Sequence, residues 1–333
     1  MENVMKILKS IFVSIILLVG CNSNHVEERQ ITFNGITEAG PIYSPNGEWI
    51  AYELFHAENS SRPQIWIKKI NSEPLPLVDN DDFNAEICWS PDSKWIAFVK
   101  SISNKDSILA YYEKDLSIEQ IWKINIFTKK QVRLSAFRKG KYISSRLSWL
   151  AGTNKIAFAK NSSIYAISAD GGSAKVLVEL DTSALKIQKI RWLNISPNQN
   201  KFLFENIKKN DPLISEIYMV DNKYNSRPIK LYGGLGYKFP SWANDSKRFC
   251  FSEETEKGSS NIFISSLDNP TEKKYVTKDP SSYDICPNWA PDGKSIIFSR
   301  AKVVDKSKAT WNLLEDMHIW KKDIKDSFRY KPI

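Results

Sequence analysis

Few side chains in this sequence combine type and spacing in a way that could do chemistry. Three histidines, His25, His56 and His318, are scattered along 333 residues. Imidazoles so far apart read as surface residues rather than ligands, and no metal site is expected. Asp81-Asp82 could be imagined as paired carboxylates working on a glycosidic bond, but adjacent acids in a polar loop are ordinarily solvated. No Gly-x-Ser-x-Gly occurs, so a serine nucleophile raised on a strand–turn–helix elbow is not expected. Gly233-Gly234-Leu235-Gly236 lacks the Lys-Ser/Thr that a phosphate loop needs. No cofactor and no catalytic residue are assigned. The cysteines are Cys21, Cys88, Cys250 and Cys286, with no Cys-x-x-Cys pair. The last three fall in expected strands and read as buried thiols, with one disulfide as the alternative.

Cys21 stands apart. Met5-Lys6-Ile7-Leu8-Lys9 is a short basic start, and Ile11 to Val19 is apolar except for Ser14. Such a run is too short for a permanent membrane span and fits a signal peptide. Leu18-Val19-Gly20-Cys21 closes it, and small Gly20 leaves a peptidase room to approach the backbone. This tetrapeptide resembles the lipobox of bacterial lipoproteins. The resemblance implies cleavage before Cys21, a diacylglycerol on its thiol and acylation of the new amine. Residues 1–20 are then the signal peptide, 21–29 a lipidated polar tether and 30–333 the folded domain. The expected location is the bacterial cell envelope, lipid-anchored, on the periplasmic side or the cell surface. Asn22, in place of an inner-membrane-retaining Asp, favours an outer membrane.

The elements that follow repeat. Tyr43-Ser-Pro-Asn-Gly, Trp89-Ser-Pro-Asp-Ser, Trp149-Leu-Ala-Gly-Thr, Ile195-Ser-Pro-Asn-Gln, Trp242-Ala-Asn-Asp-Ser and Trp289-Ala-Pro-Asp-Gly each precede an apolar run, at spacings of 46, 60, 46, 47 and 47 residues. Pro presets φ, Asn or Asp bonds back to the backbone and Gly tolerates positive φ, so each motif reads as a tight turn between two strands. A later apolar–aromatic pair marks a third strand: Ile65-Trp66, Ile121-Trp122, Ile164-Tyr165, Ile217-Tyr218, Ile262-Phe263 and Ile319-Trp320. Segments such as 131–135 and 274–277 supply a fourth. Four short strands per unit of this length predict an all-β fold, a six-bladed β-propeller with four-stranded antiparallel blades. Arg29-Gln30-Ile31-Thr32 is expected to supply the outer strand of the last blade, with residues 328–331 as the competitor.

The repeat resembles that of TolB-type propellers, over roughly residues 30–330. The α/β domain that precedes the propeller in TolB is not expected here, since only about nine residues separate Cys21 from the first strand. The resemblance implies fold rather than activity.

The net charge is +9, but Lys and Arg form no run of five or more, so a nucleic-acid surface is not expected. The gap between the second-strand and third-strand aromatics is long in two units, Phe98 to Trp122 and Phe298 to Trp320. These excursions carry Tyr111, Tyr112 and Trp311, with Lys105, Lys302, Lys306 and Lys308 around them. Aromatic anchors with a basic rim suit a protein or glycan partner. The expectation is a monomeric, non-catalytic binding scaffold, held to the membrane by its lipid. The alternative is a propeller hydrolase or lyase acting on envelope or extracellular glycans.

Overall fold

The computed structural model describes residues 27–33, 37–56, 60–80, 82–102, 118–136, 143, 145–181, 187, 190–208, 211–303 and 317–324. Among the described residues every regular element is a strand. A short strand, β1 (Glu28–Gln30), comes first. Four antiparallel four-stranded sheets follow. They are β2 (Thr37–Tyr43), β3 (Trp49–His56), β4 (Ser60–Lys69) and β5 (Pro74–Val78); then β6 (Phe83–Trp89), β7 (Trp95–Ile102), β8 (Ile118–Asn125) and β9 (Gln131–Ala136); then β10 (Ser148–Leu150), β11 (Lys155–Lys160), β12 (Ser163–Ser168) and β13 (Lys175–Glu179); then β14 (Arg191–Ile195), β15 (Lys201–Lys208), β16 (Asp211–Asp221) and β17 (Ile229–Leu235). The rest of the chain forms β18 (Ser241–Trp242), β19 (Arg248–Glu254), β20 (Ser260–Ser266), β21 (Lys274–Tyr275), β22 (Ser282–Trp289), β23 (Ser295–Lys302) and β24 (His318–Asp323). With β1 these make an eight-stranded sheet, in which two antiparallel groups of four meet at one parallel pair, Ser260 beside Tyr283. The architecture is an all-β propeller of four-stranded antiparallel blades.

The second strand of each repeat is buried on both faces because a blade packs against a neighbour on either side. Continuous apolar runs therefore replace the alternation of a one-sided sheet. Ile96-Ala97-Phe98, Ile156-Ala157-Phe158, Phe202-Leu203-Phe204 and Phe249-Cys250-Phe251 are all fully buried. The two aromatics read from each repeat face each other across the second and third strands: Tyr52 opposite Trp66, Phe98 opposite Trp122, Phe158 opposite Tyr165, Phe204 opposite Tyr218, Phe251 opposite Phe263 and Phe298 opposite Trp320. Three of these pairs stack, with ring centroids 5.8, 5.6 and 5.8 Å apart. Each such pair adds about 0.5–1.5 kcal/mol beyond the area it buries.

Three of the turns are fixed by their serines. Ser44, Ser90 and Ser196 accept the amide of the residue five places on, at 3.0, 2.9 and 3.0 Å. Each also donates to the Asn or Asp two places on, at 2.7, 2.5 and 2.7 Å. The third-to-fourth-strand turns lie at the same end. In all six repeats the amide just beyond the third strand bonds a carbonyl just before the second: Ile70 to Glu48, Ile126 to Lys94, Ala169 to Asn154, Asn222 to Asn200, Leu267 to Lys247 and Ile324 to Lys294. One face of the propeller is thus made of tight turns. The opposite face carries the second-to-third-strand loops.

The first and last repeats are joined by the N-terminal strand. β1 pairs antiparallel with β24, Glu28 opposite Lys322 and Gln30 opposite Trp320. Segment 328–331 lies outside the described residues. Ile31 donates its amide to the Ile319 carbonyl at 2.7 Å, and Thr32 Oγ1 accepts the Ile319 amide at 3.0 Å. A charge cluster reinforces the seam: Arg300 grips Asp284 through two bonds of 2.6 and 2.8 Å and also bonds Glu28, which Lys322 holds from the other side. Ile50, Tyr52, Leu54, Ile297 and Ile319 pack beneath it.

Burial alone would raise the Glu28 carboxyl. The hydrogen bond from Lys322 and the charge of Arg300 outweigh it and hold the carboxyl below its ordinary 4.5. A carboxylate whose folded pKa is depressed contributes stability that is present above the unfolded value and lost as pH falls through the folded one. Glu28→Gln is expected to cost roughly 1–3 kcal/mol in urea unfolding at pH 7, because Arg300 and Lys322 lose a charged partner. The cost should shrink below about pH 4.5, where the wild-type carboxyl also protonates. Deleting residues 27–33 should lower the melting temperature far more. A melting curve unchanged by the deletion would move ring closure elsewhere. In the core, Phe204→Ala is expected to cost about 3–5 kcal/mol by the same unfolding assay, since a fully buried ring leaves a cavity.

Candidate functional site

The innermost strands, β2, β6, β10, β14, β18 and β22, line the propeller axis, and they share a feature that turn-reading misses. Three residues before each anchor lie Gly40, Glu86, Arg146, Trp192, Phe239 and Cys286. Five of these six adopt positive φ: +64°, +59°, +51°, +47° and +55° for Gly40, Glu86, Trp192, Phe239 and Cys286. The strand register shifts at this point in β2, β6, β14 and β22. Each is a β-bulge that re-aims one side chain. Positive φ in residues as bulky as Trp and Phe costs about 1–3 kcal/mol each and persists only where the surroundings impose it.

In three repeats the residue after the second-strand aromatic helps to impose it. Glu53 accepts the Glu86 amide at 2.8 Å, and Glu205 accepts the Lys238 amide at 2.7 Å. Ser252 Oγ donates to the Tyr237 carbonyl at 3.0 Å. In the third repeat the relation is reversed, with the Ala159 amide bonding Ser145 Oγ at 2.9 Å. In the first and fourth repeats the carboxylate thus reaches the axial segment of the next repeat, while in the third and fifth the bond stays within the repeat.

The re-aimed side chains meet. Arg146 reaches across to the Gly40 carbonyl, 3.2 Å from Nη2. A Cβ at position 40 would lie 2.7 Å from that nitrogen, so glycine is required there for space as well as for φ. The guanidinium lies 4.0 Å from the centroid of the Trp192 ring, and Trp192 meets Phe239 edge-on at 4.6 Å. Phe239 joins Tyr283, Ile285, Cys286 and Met317 in an apolar cluster. Side chains from non-adjacent repeats thus close the middle of the axis. Polar atoms remain at the edge of this layer: Arg146 Nε, Glu86 Oε2 and Glu205 Oε2 are buried with no protein partner.

Charge is concentrated around the same layer. Burial and the neighbouring Glu86 carboxylate push Glu53 up to about 7, against the pull of Arg146. Lys238 is fully buried, and that burial brings it down to about 8 despite Glu253 and Glu205 nearby. Its ammonium donates to the carbonyls of Leu235 and of Gly236, the latter at 3.1 Å. The glycine run 233–236 is therefore a close-packing device: a Cβ on Gly236 would fall 2.6 Å from Cβ of Glu254. The three thiols Cys88, Cys250 and Cys286 are free and buried, as their strand positions suggested. Burial pushes Cys88 up to about 12 and raises the other two further, which leaves them unreactive.

Cys21, Tyr111, Tyr112, Trp311, Lys105, Lys306 and Lys308 lie outside the described residues, as does His25. Lys302 ends β23 and is exposed. The strands that root the two excursions are described. Ile102 pairs with Ile118 and Arg300 with His318, so both segments leave and return at the loop face. Their blades flank the first, since β4 packs on β6 and β2 on β22. His318 is half-buried, with Nδ1 3.6 Å from the buried Glu38 carboxylate. Asp82 makes an ion pair of 2.6 Å with Lys100.

No family model matches the sequence, and no curated protein matches it. Solved structures do. An oligogalacturonate lyase in complex with manganese aligns over 89% of this chain and 79% of its own, with a TM-score of 0.58 and 10% identity. TolB from Acinetobacter baumannii aligns over 88% of this chain at a TM-score of 0.54 and 15% identity, and this chain spans 64% of that one. A chain of the nidogen/laminin complex aligns over 80% of this chain and 86% of its own, at 0.52 and 9%. Among the described residues no three His, Cys, Asp or Glu side chains are grouped to hold a metal ion. At these identities the likeness speaks for fold alone: the chain has the TolB-like propeller fold.

Proposed function

We propose that this protein is an exported bacterial lipoprotein whose six-bladed propeller binds a protein or glycan partner in the cell envelope and catalyses no reaction. Six repeats, each with a turn bond of the same kind, support the blade count. The observation that carries the binding reading is the closed axis. Arg146 spans to Gly40 and stacks on Trp192, while Glu53 and Glu205 hold neighbouring strands in shape. Charged groups that could have worked on a substrate are used to build the scaffold. Recognition then falls to the loop face, where two long excursions flank the first blade. They bring Tyr111, Tyr112 and Trp311 with basic neighbours, a composition suited to a binding surface. Surface loops on a rigid scaffold are where such function usually resides.

The second reading, a propeller enzyme acting on glycans, draws on one observation: Glu53, held near 7 beside Arg146, could exchange a proton at neutral pH. Glu53→Gln separates the two, since a binding scaffold keeps its partner and an enzyme loses turnover on the glycan it acts on.

Two experiments test the favoured reading. Cys21→Ser should leave the chain unprocessed or release it to the soluble fraction, because two or more acyl chains supply the anchor, each buried methylene contributing about 0.8 kcal/mol. Palmitate labelling that persists in Cys21→Ser would exclude this anchor. The triple variant Tyr111→Ala/Tyr112→Ala/Trp311→Ala should melt as the wild type does and fail to capture the partner that wild type draws from native envelopes. Full capture by the folded triple variant would remove the loop face from recognition.

A further inference from the structure

Resting on the Cys21 anchor proposed above, the geometry points to the turn face of the first, second and last repeats as a surface that docks on anionic membrane lipid. The chain enters the fold at that face. Glu28 pairs with Lys322, and the Asp323 amide bonds the Glu27 carbonyl. Asp323 in turn pairs with Ser295, the residue that closes the turn of the last repeat. Residues 22–26 are all that lie between Cys21 and Glu27, a reach of roughly 20 Å at about 3.3–3.6 Å per residue. An acylated Cys21 therefore keeps this face against the bilayer and directs the loop face away from it.

The face has the composition such a surface needs. Phe127, at the tip of the β8–β9 turn, is 62% exposed, and Ile70, at the β4–β5 turn, is 36% exposed. Trp49 bridges them, edge-on to Phe127 at 6.3 Å with Lys69 Nζ 5.8 Å from its ring. Beside Ile70, between the first and last repeats, opens a cleft of about 680 Å³ whose cations are Lys68, Arg29 and Lys321, the last two ion-paired at the rim with Glu27 at 3.8 Å and Asp323 at 3.3 Å. Its one acid, Asp292, accepts the Lys294 amide at 2.9 Å and belongs to the turn. Asp92, in the adjacent turn, is engaged in the same way. Exposed apolar tips among lysines enter the headgroup boundary, and basic residues add electrostatic attraction to phosphate-bearing lipid.

The test uses the full, processed chain reconstituted in vesicles of phosphatidylglycerol and phosphatidylethanolamine. The native thiols other than Cys21 are buried, so Phe127→Cys can be labelled selectively with a fluorophore. Lys257→Cys, in the exposed β19–β20 turn on the loop face, is the reference. Nitroxide-bearing lipid should quench the label at 127 several-fold more strongly than that at 257. The excess should fall in neutral phosphatidylcholine vesicles and in a Lys68→Glu/Lys69→Glu/Lys129→Glu background with unchanged melting. Equal quenching at 127 and 257 in a chain that floats with the vesicles would overturn the docking face while leaving the anchor intact. A chain that takes label at Cys21 and does not float would overturn the anchor, and the docking face with it.

Discussion

Everything in this fold depends on one constraint: a four-stranded sheet with two apolar faces cannot stand alone in water. Each blade must be covered on both sides, so the series has to close on itself. The closing contact is the seam between the first and last repeats, where the N-terminal strand completes the sheet that the C-terminal strands began. Pairing of β1 with β24 removes a bare sheet edge. The Glu28–Arg300–Asp284 cluster adds direction to that pairing, because a bidentate guanidinium clamp tolerates little displacement. Local strand propensity would have been satisfied in many other arrangements. The seam selects the closed one.

Closure has a second consequence at the axis. Inner strands crowd together there, and four of them carry a bulge at the same position. Five residues of different chemistry, Gly40, Glu86, Trp192, Phe239 and Cys286, take the same backbone conformation. Arg146 reaches the Gly40 carbonyl and lies over the Trp192 ring, which meets Phe239 edge-on. Neighbouring carboxylates and hydroxyls accept the bulged amides or donate to the carbonyls.

Much of this was legible from the chain. The anchors gave the turns, the aromatic pairs gave two strands that prove to lie directly opposite each other, and residues 29–32 were placed on the correct edge. The axial bulges are not legible in the sequence. Residue type conceals them, since glycine, glutamate, tryptophan, phenylalanine and cysteine share no local preference for positive φ. Only the register of an assembled sheet shows why they adopt it. Arg300 was equally silent. Its partners Asp284 and Glu28 lie 16 and 272 residues away, and no local pattern predicts such pairs. The turn-face cleft needed five separate segments to be brought together before it existed at all.

The seam is the claim on which the account stands, and it can be read covalently. Arg29 and Lys321 are direct cross-strand partners, and the Cα separation of a hydrogen-bonded antiparallel pair, about 5.5 Å, falls in the range that a disulfide spans. In the double variant Arg29→Cys/Lys321→Cys, made in a Cys21→Ser background with the other native thiols buried, mild oxidation should produce one intramolecular disulfide. It should form in the native state and disappear when the chain is oxidised in denaturant at the same concentration. Efficient cross-linking under native conditions is the predicted result. Two thiols that stay free and fully reactive in the folded protein would show that the N-terminal strand does not close the ring.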